Sequence, residues 1–415
     1  MASVRDNDLN DSGRNDSGLN NSDEADRDIS DLGLYIHWPF CLAKCPYCDF
    51  NSHVATAIDE AGWEQAMLTE LRYMAEISMQ AKDGSRPLSS VFFGGGTPSL
   101  MPVRLFGKLI EEAERLFGFA DDIEITAEAN PTSVEMSNLR GFKQAGVNRL
   151  SLGVQALDDL SLQFLGRGHS ADEAIAALGV ARGLFDRLSI DLIYGRKGQS
   201  PQHWQAELAR ALSFELDHLS LYQLTIEQGT QFYTRARAGE ILNLSDDEMA
   251  SLYEITERQT SSHDLKCYEV SNYAKPGAES RHNLIYWRTQ DWIGIGPGAY
   301  GRLTTQKGRL ETATRKSPQG WLDQVQACGH GVADSRLEDE QAFIEEILMM
   351  GLRLAEGVPL ARLRQMTGVS SWPFTKAQLA PFLAEGWLSG DDDRLIANFE
   401  GRLRLNYILQ SLLAA

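Results

Sequence analysis

The sequence predicts an α/β protein built on a partly open barrel of six parallel strands, a partial (β/α)6 arrangement, with a smaller C-terminal α+β winged-helix-like unit. Three observations predict it. From residue 32 onward, short β-rich runs alternate with helix-patterned segments, and that alternation folds into a parallel sheet because each crossover needs a connecting helix. The unusual motifs fall at the carboxyl ends of these runs, the end at which barrels carry their active sites. Six runs also stop short of the eight that close a complete barrel, so the expected barrel is curved and open.

Residues 1–31 are dominated by Asp, Asn, Ser and Gly, with hardly an apolar side chain. Such a stretch cannot bury enough surface to offset chain entropy, and a disordered acidic tail is expected. The six strand-like runs are 32–38 (LGLYIHW), 89–94 (SSVFFG), 122–128 (DIEITAE), 148–154 (NRLSLGV), 187–194 (RLSIDLIY) and 218–225 (HLSLYQLT). Helical patterning fills segments between them, as at 63–79, 103–117 and 133–145, and the barrel is assigned to 32–265. The alternation fades from about 226, and 266–334 reads as a loop region rich in Gly and aromatic residues. Residues 335–415 form a separate module, with helices over 341–354, 360–366 and 376–385, a strand at 394–397 and a last helix at 405–413. Asp391, Asp392 and Asp393 occupy the would-be wing and oppose a DNA-reading role, so packing over the barrel mouth is expected. Glu345 and Arg353 read as helix-surface charges, with Arg353 within reach of the cleft.

A net charge of -19 disfavours nucleic acid, whose binders present clustered basic charge. No stretch approaches the ~20 apolar residues of a membrane span, which leaves at most peripheral membrane contact. Oxygen-sensitive thiols without a signal peptide point to a reducing cytoplasm, and the acidic start argues against an Arg-rich transit peptide.

Cys41, Cys45 and Cys48 follow the first run in the spacing C-x3-C-x2-C. A four-iron cluster normally takes four thiolates, so three leave one iron open to a non-protein ligand. Zinc is the first rival, yet no second C-x2-C or H-x3-H follows. Disulfides suit an odd total of five poorly, with Cys267 and Cys328 isolated. A buried-core role explains one thiol and leaves three within eight residues unexplained. Downstream, Gly94-Gly95-Gly96-Thr97-Pro98 ends the second run, Glu128 the third and Gln155 the fourth, while Asp191 lies late in the fifth. The glycines either make a tight turn or let backbone approach a ligand. Glu128, Gln155 and Asp191 either cap and pair locally or offer hydrogen bonds to ribose hydroxyls and an ammonium group. Arg167, in G-R-G-H, can pair bidentately with a carboxylate.

The C-x3-C-x2-C motif with Tyr47 before its last Cys resembles the radical S-adenosylmethionine (SAM) superfamily. The wider Y-I-H-W-P-F-C and K-C-P-Y-C-D-F resemble the branch of oxygen-independent coproporphyrinogen III oxidases (HemN) and HemW haem chaperones, over nearly all of 32–415. The resemblance implies the same partial barrel, a 4Fe-4S cluster on Cys41, Cys45 and Cys48, and SAM on the open iron. Matched motif to motif, it also implies SAM contacts at Tyr35, Tyr47, Gly95, Gly96, Thr97, Glu128, Gln155, Arg167, Asp191 and Leu224, and an electron donor for the cluster. One departure stands beside Asp191: where the family continues D-L-I-Y-G with Leu-Pro, this chain has Arg196-Lys197.

The aromatic density of the later loops suggests a surface for a flat ligand. Taken alone, His282 reads more naturally as a packed histidine than as a ligand. H-N-L-I-Y-W, however, resembles the HemW signature, which implies haem contacts at His282, Asn283, Tyr286 and Trp287, with imidazole as a suitable axial donor. His37, His53 and His263 are the competing donors. Phe50 stands where the oxidases carry a further Cys. The resemblance therefore implies a haem chaperone that binds haem and passes it to acceptor proteins, with the oxidase and a radical enzyme acting on another tetrapyrrole as alternatives; coproporphyrinogen oxidase activity is not expected.

On this reading, Cys41→Ala, Cys45→Ala or Cys48→Ala should strip bound iron and sulfide, while Cys267→Ala and Cys328→Ala retain them. Iron and sulfide assays on anaerobically reconstituted variants check it, and equal losses at Cys267 and Cys45 would contradict it.

Overall fold

The computed structural model describes residues 31–413, apart from 56, 82–85 and 392. The expected tail, save Asp31, lies outside the described residues. Six strands pair in parallel in chain order: β1 (Leu32–Trp38), β2 (Leu88–Gly95), β3 (Phe119–Ala129), β4 (Arg149–Gln155), β5 (Arg187–Tyr194) and β6 (His218–Gln223). Helices on the outer face include α1 (Glu60–Ala81), α2 (Val103–Phe117), α3 (Ser133–Ala145), α4 (Ala171–Arg182), α5 (Pro201–Leu212) and α6 (Asp246–Ser261). Their sequences explain them. In α2, Leu105, Phe106, Leu109, Ile110, Ala113 and Phe117 recur every three or four residues and bury one stripe. Thr132, Ser170 and Ser200 cap the next helices with their hydroxyls. The strands are covered on both sides, so β1 and β4 are buried along nearly their whole length.

The sheet continues past six strands, which corrects the expectation of loops over 266–334. β7 (Lys266–Glu269) and β8 (Asn272–Ala274) extend one edge antiparallel, in the order β6-β8-β7. β9 (Asp291–Ile295) lies parallel to β1 on the other side, with Leu34 opposite Ile293, and leads to β10 (Tyr300–Thr305), β11 (Gly308–Thr314) and β12 (Val332–Leu337). β9 is only five residues long and runs into Gly296-Pro297-Gly298, and its parallel partner β1 lies more than 250 positions away, so only that pairing defines it. Glu70 of α1 reinforces that edge. Fully buried, it accepts N–H groups from Gly296 and Gly331 at 2.7 Å and from the Trp321 ring at 2.9 Å. Burial pushes its carboxyl up to about 7, against those three donors.

Helix α7 (Arg281–Trp287) lies across the amino ends of β2 and β3. His282 meets Ser90 near the start of β2, and the backbone N–H of Arg281 donates to Glu124 of β3 at 3.0 Å. The floor of the barrel is thereby plugged.

The C-terminal unit has α8 (Glu340–Gly351), α9 (Leu360–Thr367), α10 (Lys376–Ala384), a three-stranded sheet and α11 (Leu405–Leu413). Its own core gathers Phe343, Ile347, Leu363, Phe382, Leu395 and Ile408. It docks on the flank of the barrel: Leu354 bridges to Glu269 of β7, Arg288 pairs with Glu356 at 2.9 Å, and Phe399 stacks on Tyr253 at 5.4 Å. Packing over the mouth is thus corrected, because none of its described residues lines the mouth cavity. The acidic Glu346 and Glu356 seek Arg302 and Arg288 on the flank instead. Glu345 stays on the helix surface with Gln341, while Arg353 lies over the Trp287 ring at 5.8 Å.

The departure after Asp191 is absorbed outside the cavity. Arg196 is buried, donates to Ile193 O at 2.9 Å and pairs with buried Glu207 at 2.5 Å. Arg196→Met should therefore leave Glu207 buried without its cation and cost about 3 kcal/mol. Urea denaturation checks this, and a loss under about 1 kcal/mol would show the pair to be dispensable.

Candidate functional site

A cavity of about 470 Å³ opens at the carboxyl ends of β1 to β6. The chain leaving β1 forms its rim. Phe40–Cys41 pairs with His53–Val54, Gly96 N donates to Trp38 O at 2.7 Å, and Thr97 N donates to Phe40 O at 2.9 Å. Asn51 ties the loop to a distant part of the chain, donating to Pro297 O at 2.8 Å and Lys316 O at 2.9 Å. His37 supports it from below. Its Nε2 bonds Asn51 O at 2.9 Å, which requires the proton there and leaves Nδ1 to accept from the Tyr35 hydroxyl at 3.0 Å.

Cys41, Cys45 and Cys48 all line this cavity, and each sulfur lies beside a polar side chain. Thr97 Oγ1 donates to Cys41 Sγ at 3.4 Å, Arg167 Nη1 to Cys45 Sγ at 3.3 Å, and Ser52 Oγ lies 3.8 Å from Cys48 Sγ. Burial pushes the Cys41 and Cys48 thiols up. Cys267 instead donates to Glu269 O within its own edge hairpin, and Cys328 is exposed on another helix. Three free thiols facing one space, with hydrogen-bond donors to the sulfurs, fit a four-iron cluster that keeps one iron for a non-protein ligand.

Gly95, Gly96, Thr97, Tyr47, Glu128, Gln155, Arg167, Asp191 and Leu224 line the same cavity. Tyr35 is the exception among the expected contacts; it sits one layer deeper, bonded to His37. The glycines are also required by the packing of the turn itself. A Cβ at Gly95 would lie 2.7 Å from the His37 ring, and one at Gly96 would lie 2.8 Å from the Pro39 backbone. Their bareness lets the second strand's turn close on the first strand. Gln155 adopts a left-handed φ of 68°, a strained conformation for a non-glycine residue at the point where β4 turns over the cavity. Burial first, and the Asp191 charge second, push Glu128 up to about 8, against a hydrogen bond from Gly95 N–H. Asp191 is also raised by burial and accepts from Ser151 at 3.1 Å.

Sequence reasoning missed Asn130, Ser151, His169, Tyr222 and Gln223 in the lining. Strand alternation was the available signal for two of them, since Ser151 and Asp191 share the inner face of adjacent strands. Tyr222 follows the same logic on β6.

The four expected haem contacts lie elsewhere, on the floor helix α7, and none reaches the mouth cavity. His282 is 1% exposed, with Nδ1 bonded to Ser90 Oγ and Nε2 to the Tyr286 hydroxyl, both at 2.8 Å. Burial first and Arg149 second push it down to about 3, so the ring is neutral. Asn283 donates to the Tyr268 hydroxyl at 3.3 Å, and Trp287 packs under Arg353. The rival histidines are also engaged: His37 as above, His53 with Asn51 at 3.1 Å, and exposed His263 with Gln259 O at 3.0 Å. Among the described residues, no helix is long and apolar enough to cross a membrane.

Comparison with known proteins gives two family matches: the radical SAM superfamily over residues 35–211 and the HemN C-terminal domain over 339–404. A Mus musculus protein named radical S-adenosyl methionine domain-containing protein 1, mitochondrial, is 37% identical over 92% of this chain and 87% of its own length. The haem chaperone HemW of Escherichia coli is 36% identical over 92% of this chain and 98% of its own. Among solved structures, coproporphyrinogen III oxidase (HemN) from Escherichia coli, described as a radical SAM enzyme, matches with a TM-score of 0.76. It is 21% identical, covers 92% of this chain and 90% of that one, and shares the fold.

The raised carboxyl of Glu128 carries a pH prediction. Its folded value of about 8 exceeds the ordinary 4.5, so the folded state holds a proton that the unfolded chain releases. The associated stability is fully present below about 4.5 and lost as pH rises through about 8. Thermal unfolding across that range should show a fall in wild-type Tm that Glu128→Gln lacks; parallel profiles would contradict the assignment.

Proposed function

This chain belongs to the radical SAM superfamily, in the group whose named members include HemW haem chaperones, and on that premise we propose that it binds haem and hands it to acceptor proteins. In the same proposal Cys41, Cys45 and Cys48 hold a 4Fe-4S cluster with SAM on the open iron. The observation carrying the cluster is the convergence of three free thiols, each beside a polar side chain, on one cavity. Around that cavity Gly95, Gly96 and Thr97 offer backbone and hydroxyl groups. Glu128, Gln155, Arg167 and Asp191 offer hydrogen bonds to the polar ends of SAM, and Tyr35, Tyr47 and Leu224 complete the proposed contacts. When bound, the cluster supplies the electron that splits SAM. Electron delivery by a donor protein is proposed at the mouth, where Leu42 and Phe50 are exposed.

Phe50 favours the chaperone over the oxygen-independent coproporphyrinogen III oxidase, because no fourth thiol stands at that position of the rim. The haem half of the proposal rests on the HemW relatives and on H-N-L-I-Y-W. With both nitrogens of His282 bonded, ligation requires α7 to leave the floor and give up Ser90 and Tyr286; Asn283, Tyr286 and Trp287 would then furnish the walls of the haem site. A reducing compartment, the cytoplasm, is proposed from the free thiols. The relatives named mitochondrial make an organelle the competing location. The proposed division of the chain is a barrel over 32–265, an extension over 266–334 and a C-terminal unit from 335.

Haem titration of wild type and His282→Ala, with iron and sulfide checked in each, tests the ligand assignment. Wild type should give a stable Soret band, and His282→Ala should lose it while keeping its cluster. An unchanged spectrum and affinity would leave His282 as a packed floor residue and move the haem elsewhere. Protoporphyrinogen produced from coproporphyrinogen III in a parallel tube would favour the oxidase.

A further inference from the structure

Arg167 is placed against the cysteine loop more firmly than a waiting ligand contact requires. Nη1 donates to Cys45 Sγ at 3.3 Å, while Nη2 donates to Gly153 O at 3.0 Å and to Asn130 Oδ1. Its backbone N–H donates to Leu162 O at 2.9 Å, and Nε is buried without a partner. The loop that carries it is docked on the thiol motif. Gly166 has a left-handed φ of 67°, and a Cβ there would lie 2.5 Å from Pro46, the neighbour of Cys45. A later helix, Gln231–Arg237, adds a second grip on the motif, since Phe232 N donates to Pro46 O at 2.8 Å.

The charges around Cys45 make this contact matter. Glu128, Glu135 and Asp191 in the lining are all pushed up by burial, while His169 is pushed down to about 4 and is neutral. Lys44 is exposed and turns to Ser52 O at 3.4 Å. Among the described lining residues Arg167 is therefore the fixed, recessed cation, inside a chain whose net charge is -19.

We propose that Arg167 sets the reduction potential of the cluster by holding a permanent positive charge at the Cys45 sulfur, a role separate from any contact with SAM. The inference rests on the cluster reading above. Adding an electron makes a thiolate-bound cluster one unit more negative, and a hydrogen-bonded cation at a ligand sulfur stabilises that reduced state. The recessed position weakens solvent screening of the interaction. Arg167 is in this sense a positioning residue acting through Cys45, and its effect is present before SAM arrives.

The test is an EPR-monitored redox titration of the full chain, reconstituted anaerobically and measured without SAM, in wild type, Arg167→Lys and Arg167→Gln. Iron and sulfide content verifies loading. Arg167→Gln should make reduction about tenfold less favourable, a shift of about 59 mV to more negative potential for a one-electron couple. Arg167→Lys keeps the charge but loses the rigid fork, so it should shift less and in the same direction; it carries the comparison if Arg167→Gln does not load. Equal potentials in wild type and the loaded variants would overturn the proposal, even with weakened SAM binding, and leave Arg167 as a ligand contact alone. A wild-type chain that takes up no iron would overturn the cluster reading itself, a result separable from the others by the iron assay.

Discussion

The parallel pairing of Leu32–Trp38 between Leu88–Gly95 on one side and Asp291–Ile295 on the other is the constraint on which the rest of the structure depends. A strand held on both edges, with Leu32, Leu34, Ile36 and Trp38 buried, has one fixed exit. The thiols leave it there. The neighbouring strand ends at the same level with a glycine turn that closes on His37 and Pro39, so the cysteine loop and the G-G-G-T turn are positioned by one strand pair.

Around that pair the barrel has two ends of different character. The mouth is a cavity in which burial pushes up the carboxyls of Glu128, Glu135 and Asp191, with Arg167 as its recessed cation. The floor is filled by Arg281–Trp287, whose His282 stacks on Phe92 at 5.0 Å between rings and also faces Tyr35 at 6.2 Å. Tyr35 in turn bonds His37 beneath the cysteine loop. The two segments that sequence motifs single out are thus connected through packed rings inside the barrel, although they occupy opposite ends of it. For a haem role this geometry imposes a cost: the floor must open, because every polar atom of the His282 ring is already satisfied.

The C-terminal unit follows from charge as well as from its own apolar core. Glu346 and Glu356 meet Arg302 and Arg288 on the barrel flank, and the short bridge from Leu354 to Glu269 covers the exposed edge of the sheet. An edge strand left open would be a site for unwanted pairing, so flank docking uses the unit where the sheet needs it and leaves the mouth free.

The six parallel strands were legible in the sequence because their apolar runs are long enough to carry periodicity, and the thiol site was legible because C-x3-C-x2-C is local. Gly95, Glu128, Gln155 and Asp191 were placed correctly at one end of the barrel by a rule of topology, which needs only strand direction. The strand Asp291–Ile295 was not legible, since it runs straight into Gly296-Pro297-Gly298 and its parallel partner lies at the far end of the chain. Tertiary structure alone decided that the glycines accommodate His37 and Pro39, that Arg196 turns outward to Glu207, and that His282 is sealed in the floor. Those outcomes depend on which atoms meet across hundreds of residues, and a contact of that kind leaves no periodicity or spacing for a sequence to display.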